Sequence, residues 1–188
     1  MPLTKLDTTA ALVVIDLQKG IVSLPTVHPV TEIIGRTAQL AREFRERGLP
    51  VVLVNVTGRA PGRTDAGAPK FSFPADWAEL VSELEQRPDD HIVSKQRWGA
   101  FIGTSLDEYL RQRGVAQVFL TGVATSAGVE STARSAYDYG YNVVLVVDAM
   151  TDRDAAAHHH SVEKIFPRIG EKDTTDNVLK RLKGATAQ

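Results

Sequence analysis

Cysteine is absent from this 188-residue chain, and its absence removes three kinds of chemistry at once. There is no disulfide framework, no thiolate-ligated zinc and no thiolate nucleophile. An excess of either charge is also lacking. The 22 basic and 23 acidic residues leave a formal net charge of -1. Attraction to phosphate backbones is then weak, no dense Lys/Arg cluster restores it, and no nucleic-acid partner is expected. Long hydrophobic runs are missing too, none approaching the ~20 residues of a membrane helix. The opening MPLTKLDTTA has neither the basic nor the long apolar region of a signal peptide. The expectation is a cytoplasmic protein with no membrane partner. Its length suits a single domain, residues 1–188, and a chain of this size buries roughly 70% of its unfolded surface without a disulfide or structural metal.

What the chain does have is a series of short, valine-rich runs. Ala10 to Ile15 ends in Asp16, and Val51 to Val56 is broken only by Asn55. His91 to Ser94 is a shorter third, followed by Val115 to Leu120 and Val143 to Val147, the last ending in Asp148. They do not alternate strictly with polar residues, which suits strands covered on both faces of a parallel sheet. Helical spacing fills the gaps. Ile33, Leu40, Ala41 and Phe44 form one stripe, stopped by Gly48 before Pro50, and Trp77, Leu80, Val81 and Leu84 form another. Thr104 is placed to cap a third helix that Gly114 ends, and Thr125 or Ser126 a fourth that Gly140 ends. Further helices are predicted from Asp154 to about Lys164 and from Thr175 to Leu182, with a frayed tail from Gly184. Alternating strands and helices predict an α/β domain with right-handed crossovers. Ala60 to Phe73 is the one long irregular stretch, and it leaves the second strand at the edge where open α/β sheets bind ligands.

The candidate chemistry gathers at that edge. Asp16 follows an apolar strand, so its carboxylate is partly desolvated and suited to acid–base work; the plain alternative is a turn cap through Gln18 or Lys19. Asp148 occupies a similar place with nothing else pointing to it. Lys95, after the third strand, can pair with a strand-end carboxylate or hold an anion. Arg59, Arg63, Lys70 and Arg97 add positive groups on nearby loops and hint at an anionic small molecule. Thr121 to Gly128 is rich in small residues and leads into a helix, so its backbone N–H groups can form an oxyanion site. It has neither the Walker ending nor the G-x-G-x-x-G spacing, and no nucleotide cofactor is expected. His158, His159 and His160 are adjacent, point in different directions on a helix and make no ready metal cluster. Trp98 and Phe101 can wall a pocket or simply pack. Ser126 is a possible nucleophile without an evident His–Asp partner.

Three stretches, ALVVIDLQKGIV (11–22), SKQRWGAFIGTSLDEYLRQRG (94–114) and VFLTGVATSAGVESTARSAYDYGYNVVLVVDAM (118–150), together resemble the isochorismatase-like hydrolase family. The later FPRIGEKDTTDNVL is similar to that family's C-terminal strand and helix. The resemblance covers nearly the whole chain. It implies a three-layer α/β/α fold with a six-stranded parallel sheet in the order 3-2-1-4-5-6. It also implies a site in which Asp16 and Lys95 match the catalytic Asp and Lys. The catalytic Cys of most members falls on Gly128, and a cis peptide falls between Val123 and Ala124, in the oxyanion loop Val123–Ala124–Thr125–Ser126.

Gly128 excludes the covalent amide hydrolysis of nicotinamidases. The metal-binding Asp-x-His of those enzymes is replaced here by Asn55-Val56-Thr57, so no metal is expected. Isochorismatases also carry glycine at that place and cleave a vinyl ether, the Asp protonating carbon before water adds. This chain differs from them in having Val56 where they have Gln, and Ala124-Thr125 where they have an aromatic-containing loop.

Three readings follow. The first is a cysteine-independent hydrolase acting on a small, anionic molecule, with Asp16 as acid/base, Lys95 as its electrostatic partner, and Arg59, Arg63, Trp98 and Phe101 around the substrate. The second is a family member that binds without turnover, and the third a Ser126-dependent amide hydrolase. The resemblance also implies a homodimer or larger homo-oligomer and no cofactor.

Overall fold

The structure, a computed structural model, describes residues 3–65, 67 and 74–184. Lys70, most of the second half of the long irregular stretch and the last four residues of the tail lie outside the described residues. Six parallel strands form one sheet in the order β3-β2-β1-β4-β5-β6. They are β1 (Ala10–Ile15), β2 (Val51–Val56), β3 (His91–Lys95), β4 (Gln117–Val123), β5 (Asn142–Thr151) and β6 (Glu171–Asp173). The helices are α1 (Lys19–Val22), α2 (Val30–Glu46), α3 (Leu106–Gln112), α4 (Glu130–Asp138), α5 (Ala155–His160), α6 (Phe166–Ile169) and α7 (Thr175–Gly184).

The central strand explains the three layers. Every residue of β1 is buried, and successive side chains point to opposite faces. Leu12 and Val14 join a core with Ile33, Leu40 and Phe44 of α2 and Val178 and Leu182 of α7. Ala11, Val13 and Ile15 join a second core with Leu106 and Leu110 of α3, Ala133 and Ala136 of α4 and Phe166 of α6. An apolar run without alternation is what a strand with two such faces needs.

Four expectations are corrected. Trp77 to Leu84 forms no α-helix. Its backbone lies along the chain after β1, with Leu80 bridging Gln18, Val81 N–H donating to Leu17 (3.1 Å) and only a short 3-10 turn at Ser82–Leu84. The fifth strand continues through Asp148 to Thr151. Neither Thr125 nor Ser126 caps the fourth helix through its hydroxyl, because that helix opens with a π turn, Thr125–Val129, before α4. A second π turn, Ser161–Ile165, interrupts the helix predicted from Asp154, which Asp154 does cap through the N–H of Ala157 (2.9 Å).

Candidate active site

The order of the strands reverses between β1 and β4, and open α/β sheets bind ligands at the carboxyl ends beside such a point. Asp16 is the first residue after β1. Its φ of 51° is left-handed, a conformation that costs a non-glycine residue about 1 kcal/mol. Gln18, fully buried, fixes the chain just beyond: its side-chain amide donates to Val56 O (3.1 Å) and Trp77 O (3.0 Å) and accepts from Val56 N–H (2.7 Å). The Asp16 carboxylate caps no turn through Gln18 or Lys19: neither N–H donates to it, and that of Lys19 goes to Glu79 O (2.8 Å).

Lys95 closes β3, two strands and so about 10 Å away, and only a long side chain spans that gap. Its Nζ donates to Asp16 Oδ2 at 2.8 Å and to Arg97 O at 3.2 Å. Both side chains are buried, 2% exposed for the lysine and 7% for the aspartate. Asp16 Oδ1 is buried with no hydrogen-bond partner among the described residues. Burial pushes the Asp16 carboxyl up from 3.8 to about 6, against the opposing pull of Lys95.

Gly128, on the π turn after β4, faces this pair. A Cβ added there would lie 3.1 Å from Asp16 Oδ2 and 2.9 Å from Ile15 Cγ2, so the space beside the carboxylate exists because the residue is glycine. Gly122 allows the close approach of β4 to β1: its φ is 116°, and a Cβ would meet Ile15 O at 2.0 Å. The Val123–Ala124 peptide is cis. Two of the loop's N–H groups are already engaged, Ser126 with Asp152 Oδ2 (2.7 Å) and Ala127 with Ala124 O (3.1 Å).

A cleft of about 250 Å³ opens onto Asp16, Lys95, Val123, Ala124 and Gly128. Arg59, Arg97 and Arg153 line it, and Asp16 is the only acidic residue among its described walls. Trp98, 70% exposed, stands at the cleft. Phe101 does not. It is buried in the core, with its ring against Tyr139 (5.4 Å) and Tyr141 (5.8 Å). Arg63 is exposed and is not among the lining residues. Arg153 is a lining residue that the sequence reading missed. It follows β5 by two positions, and the early strand end assigned at Asp148 hid it.

Asp148 accepts from Thr175 N–H (2.8 Å) and hydroxyl (2.9 Å), and so anchors the start of α7. His159 and His160 are exposed on α5. His158 is half-buried with Nδ1 2.9 Å from Thr125 Oγ1. No histidine bonds the Ser126 hydroxyl among the described residues. Asn55 is committed to structure, donating to Ala78 O (2.8 Å) and accepting from Ser94 Oγ (2.8 Å). No group of three His, Cys, Asp or Glu able to hold a metal occurs among the described residues. No helix among them is long and apolar enough to cross a membrane.

Comparison with known proteins settles the lineage. The family model for the isochorismatase domain matches residues 10–177. The chain belongs to the isochorismatase family. It is 41% identical over 180 residues to an uncharacterized isochorismatase family protein of Bacillus subtilis, spanning 92% of this chain and 94% of that one. An isochorismatase family protein of Burkholderia thailandensis superposes with a TM-score of 0.91 at 40% identity, over 95% of this chain and 97% of its own. The ureidoacrylate amidohydrolase of Variovorax paradoxus is 28% identical over 218 residues, covering 99% of this chain and 86% of that protein. Members of the isochorismatase family are hydrolases, and this chain has their fold, with the sheet order expected of it.

Proposed function

We propose that this isochorismatase-family protein hydrolyses a small anionic molecule without a covalent intermediate, with Asp16 as general acid/base and Lys95 as its electrostatic partner. The observation that carries the reading is the half-satisfied carboxylate. Oδ2 accepts from Lys95, while Oδ1 is buried and unpartnered. The proton of the neutral acid belongs on Oδ1, because Oδ2 already accepts from an ammonium. An acid lifted to about 6 keeps a fraction of its molecules protonated close to neutral pH and gives that proton up readily, as acid catalysis requires.

On an enol ether, Asp16 gives its proton to the terminal carbon of the double bond, and the adjoining carbon becomes an oxocarbenium ion. Water adds there, and its surplus proton returns to Asp16. The hemiketal then collapses to an alcohol and a carbonyl fragment. In the interval Asp16 is an anion beside the Lys95 ammonium, which stabilises the charge as it forms. Gly128 contributes space where a thiol would otherwise stand, and the chain has no cysteine to attack an amide. Arg59, Arg97 and Arg153 favour a substrate that carries negative charge. The protein works as one domain over residues 1–188, in the cytoplasm, as a homodimer or larger homo-oligomer, and needs neither cofactor nor metal. Sedimentation of only a 20.5 kDa species at micromolar concentration would remove the oligomer from this account.

The test is a turnover screen against isochorismate and a panel of small amides, run with wild type and Asp16→Asn. Hydrolysis of the enol ether, lost in the variant, is the expected result. Binding without turnover would mean an inactive family member, and amide hydrolysis that survives Asp16→Asn would overturn the acid role.

A further inference from the structure

The turn that carries Gly128 is gripped from behind by a segment of which only Arg153 lines the cleft. That segment runs from the end of β5 through α5 to the second π turn. It meets the Gly128 turn at two places and the helix that follows at a third. Asp152 Oδ2 accepts from Ser126 N–H at 2.7 Å. His158 Nδ1 lies 2.9 Å from Thr125 Oγ1. Ser161 Oγ donates to Glu130 Oε2, at the start of α4.

We propose that Asp152 and His158 are positioning residues of this site, holding the Thr125–Gly128 turn in the shape that closes the cleft against Asp16. The proposal rests on the reading of Asp16 as the acid. Asp152 is 4% exposed, and among the described residues its carboxylate pairs with no cation. Its oxygens are spent on backbone N–H groups, Oδ1 on Arg153 (2.7 Å) and Asp154 (3.3 Å), Oδ2 on Ser126. The bonds of Oδ1 are those of an ordinary turn at a strand end. The bond of Oδ2 is not local, since Ser126 lies 26 residues away, and a charge-assisted bond of that kind fixes a backbone firmly.

His158 is braced in turn. The His28 ring packs edge-on against it at 4.8 Å, and His28 N–H and Nδ1 both lie 3.1 Å from Thr151 Oγ1. Thr125 is fully buried. A π turn has a poorer bonding pattern than an α-helix and recurs at functional sites, so external ties matter more to it. The turn passes so near Asp16 that a Cβ on Gly128 would sit 3.1 Å from Oδ2. Any loosening of the turn would therefore let water reach the carboxyl.

The test uses the full chain carrying Asp152→Ala, Asp152→Asn, His158→Ala or His158→Asn. Amide exchange at Ser126 is followed by NMR, and so is the titration midpoint of the Asp16 carboxyl carbon. Asp152→Ala should speed exchange at Ser126 about tenfold and lower the Asp16 midpoint by about half a pH unit as water enters. Asp152→Asn lacks the charge but keeps an acceptor, and should return both readouts most of the way. Equal behaviour of the two variants would assign the effect to charge acting through space and overturn the proposal. Unmoved readouts in Asp152→Ala would overturn it as well. If Asp152→Ala does not fold, the His158 pair decides: the midpoint should fall in His158→Ala and recover in His158→Asn, and the absence of that contrast would overturn the proposal. With isochorismate as substrate, His158→Ala should lower kcat about tenfold and leave KM within about twofold. A wild type that turns over no substrate would overturn the proposed function, and the exchange and titration readouts would still decide this inference.

Discussion

Two buried ion pairs stand at opposite ends of the sheet, and they are built differently. At the amino ends of the strands, Arg45 of α2 grips Asp90 with two parallel bonds, Nε to Oδ1 (3.0 Å) and Nη2 to Oδ2 (2.8 Å). Asp90 Oδ2 also accepts from Arg87 N–H (2.8 Å) and Arg45 Nη2 also donates to Leu84 O (3.0 Å). Both oxygens of that carboxylate are satisfied, and the one shortfall is a donor, Arg45 Nη1. At the carboxyl ends, Lys95 and Asp16 are buried to the same degree. They share a single bond, and one carboxylate oxygen is left over. A fork on a carboxylate fixes geometry, whereas an ammonium on one oxygen leaves the other with proton affinity to spare. The first pair ties α2 to the loop before β3. The second leaves an unpartnered carboxylate oxygen at the switch point of the sheet.

The largest effect expected from this contrast is on turnover. Asp16→Asn removes the transferable proton while keeping shape, and hydrolysis of whichever substrate the screen identifies should fall 10²–10⁴-fold, to about that order. Circular dichroism should keep the wild-type shape, and the loss is read per folded molecule. Asp90→Ala should do the opposite. It strands the Arg45 charge in the interior, which costs about 3–5 kcal/mol, read by urea unfolding, while kcat per folded molecule is unchanged. A variant at Asp90 that lost activity without losing stability would erase the distinction between the pairs.

Acid should expose the same difference. A carboxyl raised in the folded state binds its proton at a pH where the unfolded chain has already released one. Between about pH 4 and 6 the folded protein therefore holds the extra proton, and the stability contributed by Asp16 falls as the pH rises through that window. The full difference, from below 3.8 to above about 6, is about 3 kcal/mol. Wild type should lose most of that relative to Asp16→Asn between pH 4 and 7, measured by urea unfolding at each pH. On the acid reading, kcat/KM should also fall about tenfold per pH unit above about 6. A rate that instead rises through pH 6 would make the ionised form of Asp16 the working one.

The strand-end pair was more legible in the sequence than the walls of its cleft, for a physical reason. Asp16 and Lys95 announce themselves because a charged residue ending an apolar strand has few structural excuses, and β1 and β2 match their sequence boundaries because both faces are covered. Asp148 fits the same pattern and has such an excuse, the start of α7, in a partner 27 residues away that spacing cannot show. Trp77, Leu80, Val81 and Leu84 have helical spacing, yet their segment takes its hydrogen bonds from the chain beyond β1. There the Trp77 ring lies where a side chain on Gly20 would be, 1.8 Å from its Cβ position. Periodicity reports which residues are apolar, and long-range backbone pairing then overrides the element it suggests. Phe101 is apolar in both accounts, and only the fold distinguishes a cleft wall from a core.

A smaller effect is expected from filling the space beside the Asp16–Lys95 pair. Gly128→Ala puts a methyl group 3.1 Å from Asp16 Oδ2 and 2.9 Å from Ile15 Cγ2. Overpacking of that kind costs about 1–3 kcal/mol, and here the neighbour that must give is the acid itself. Turnover should fall about tenfold, by the same arithmetic, with a modest loss in the unfolding midpoint. Gly128→Cys adds a sulfur in the same place and should be no more active on an enol ether. A gain of amide hydrolysis in that variant would show that the geometry of a thiol enzyme persists around the glycine.

The smallest effect is expected at Ser126, and it tests the comparison most directly, because a serine nucleophile would make the Asp16–Lys95 pair an accessory. Ser126 is tied to the frame through its backbone N–H on Asp152, which alanine keeps. Its hydroxyl caps no helix, and the nearby imidazole of His158 addresses Thr125 instead. A serine without a base at hydrogen-bond distance is a weak nucleophile at neutral pH. Ser126→Ala should therefore change stability by no more than about 0.5 kcal/mol and leave kcat within about threefold of wild type. The double comparison is decisive. If Asp16→Asn kept the wild-type rate while Ser126→Ala was inactive, the bond-making atom would be the Ser126 hydroxyl. The buried pair would then be a second structural clamp like Arg45–Asp90. The opposite outcome, an inactive Asp16→Asn beside a working Ser126→Ala, leaves the unpartnered oxygen of Asp16 as the atom that moves the proton.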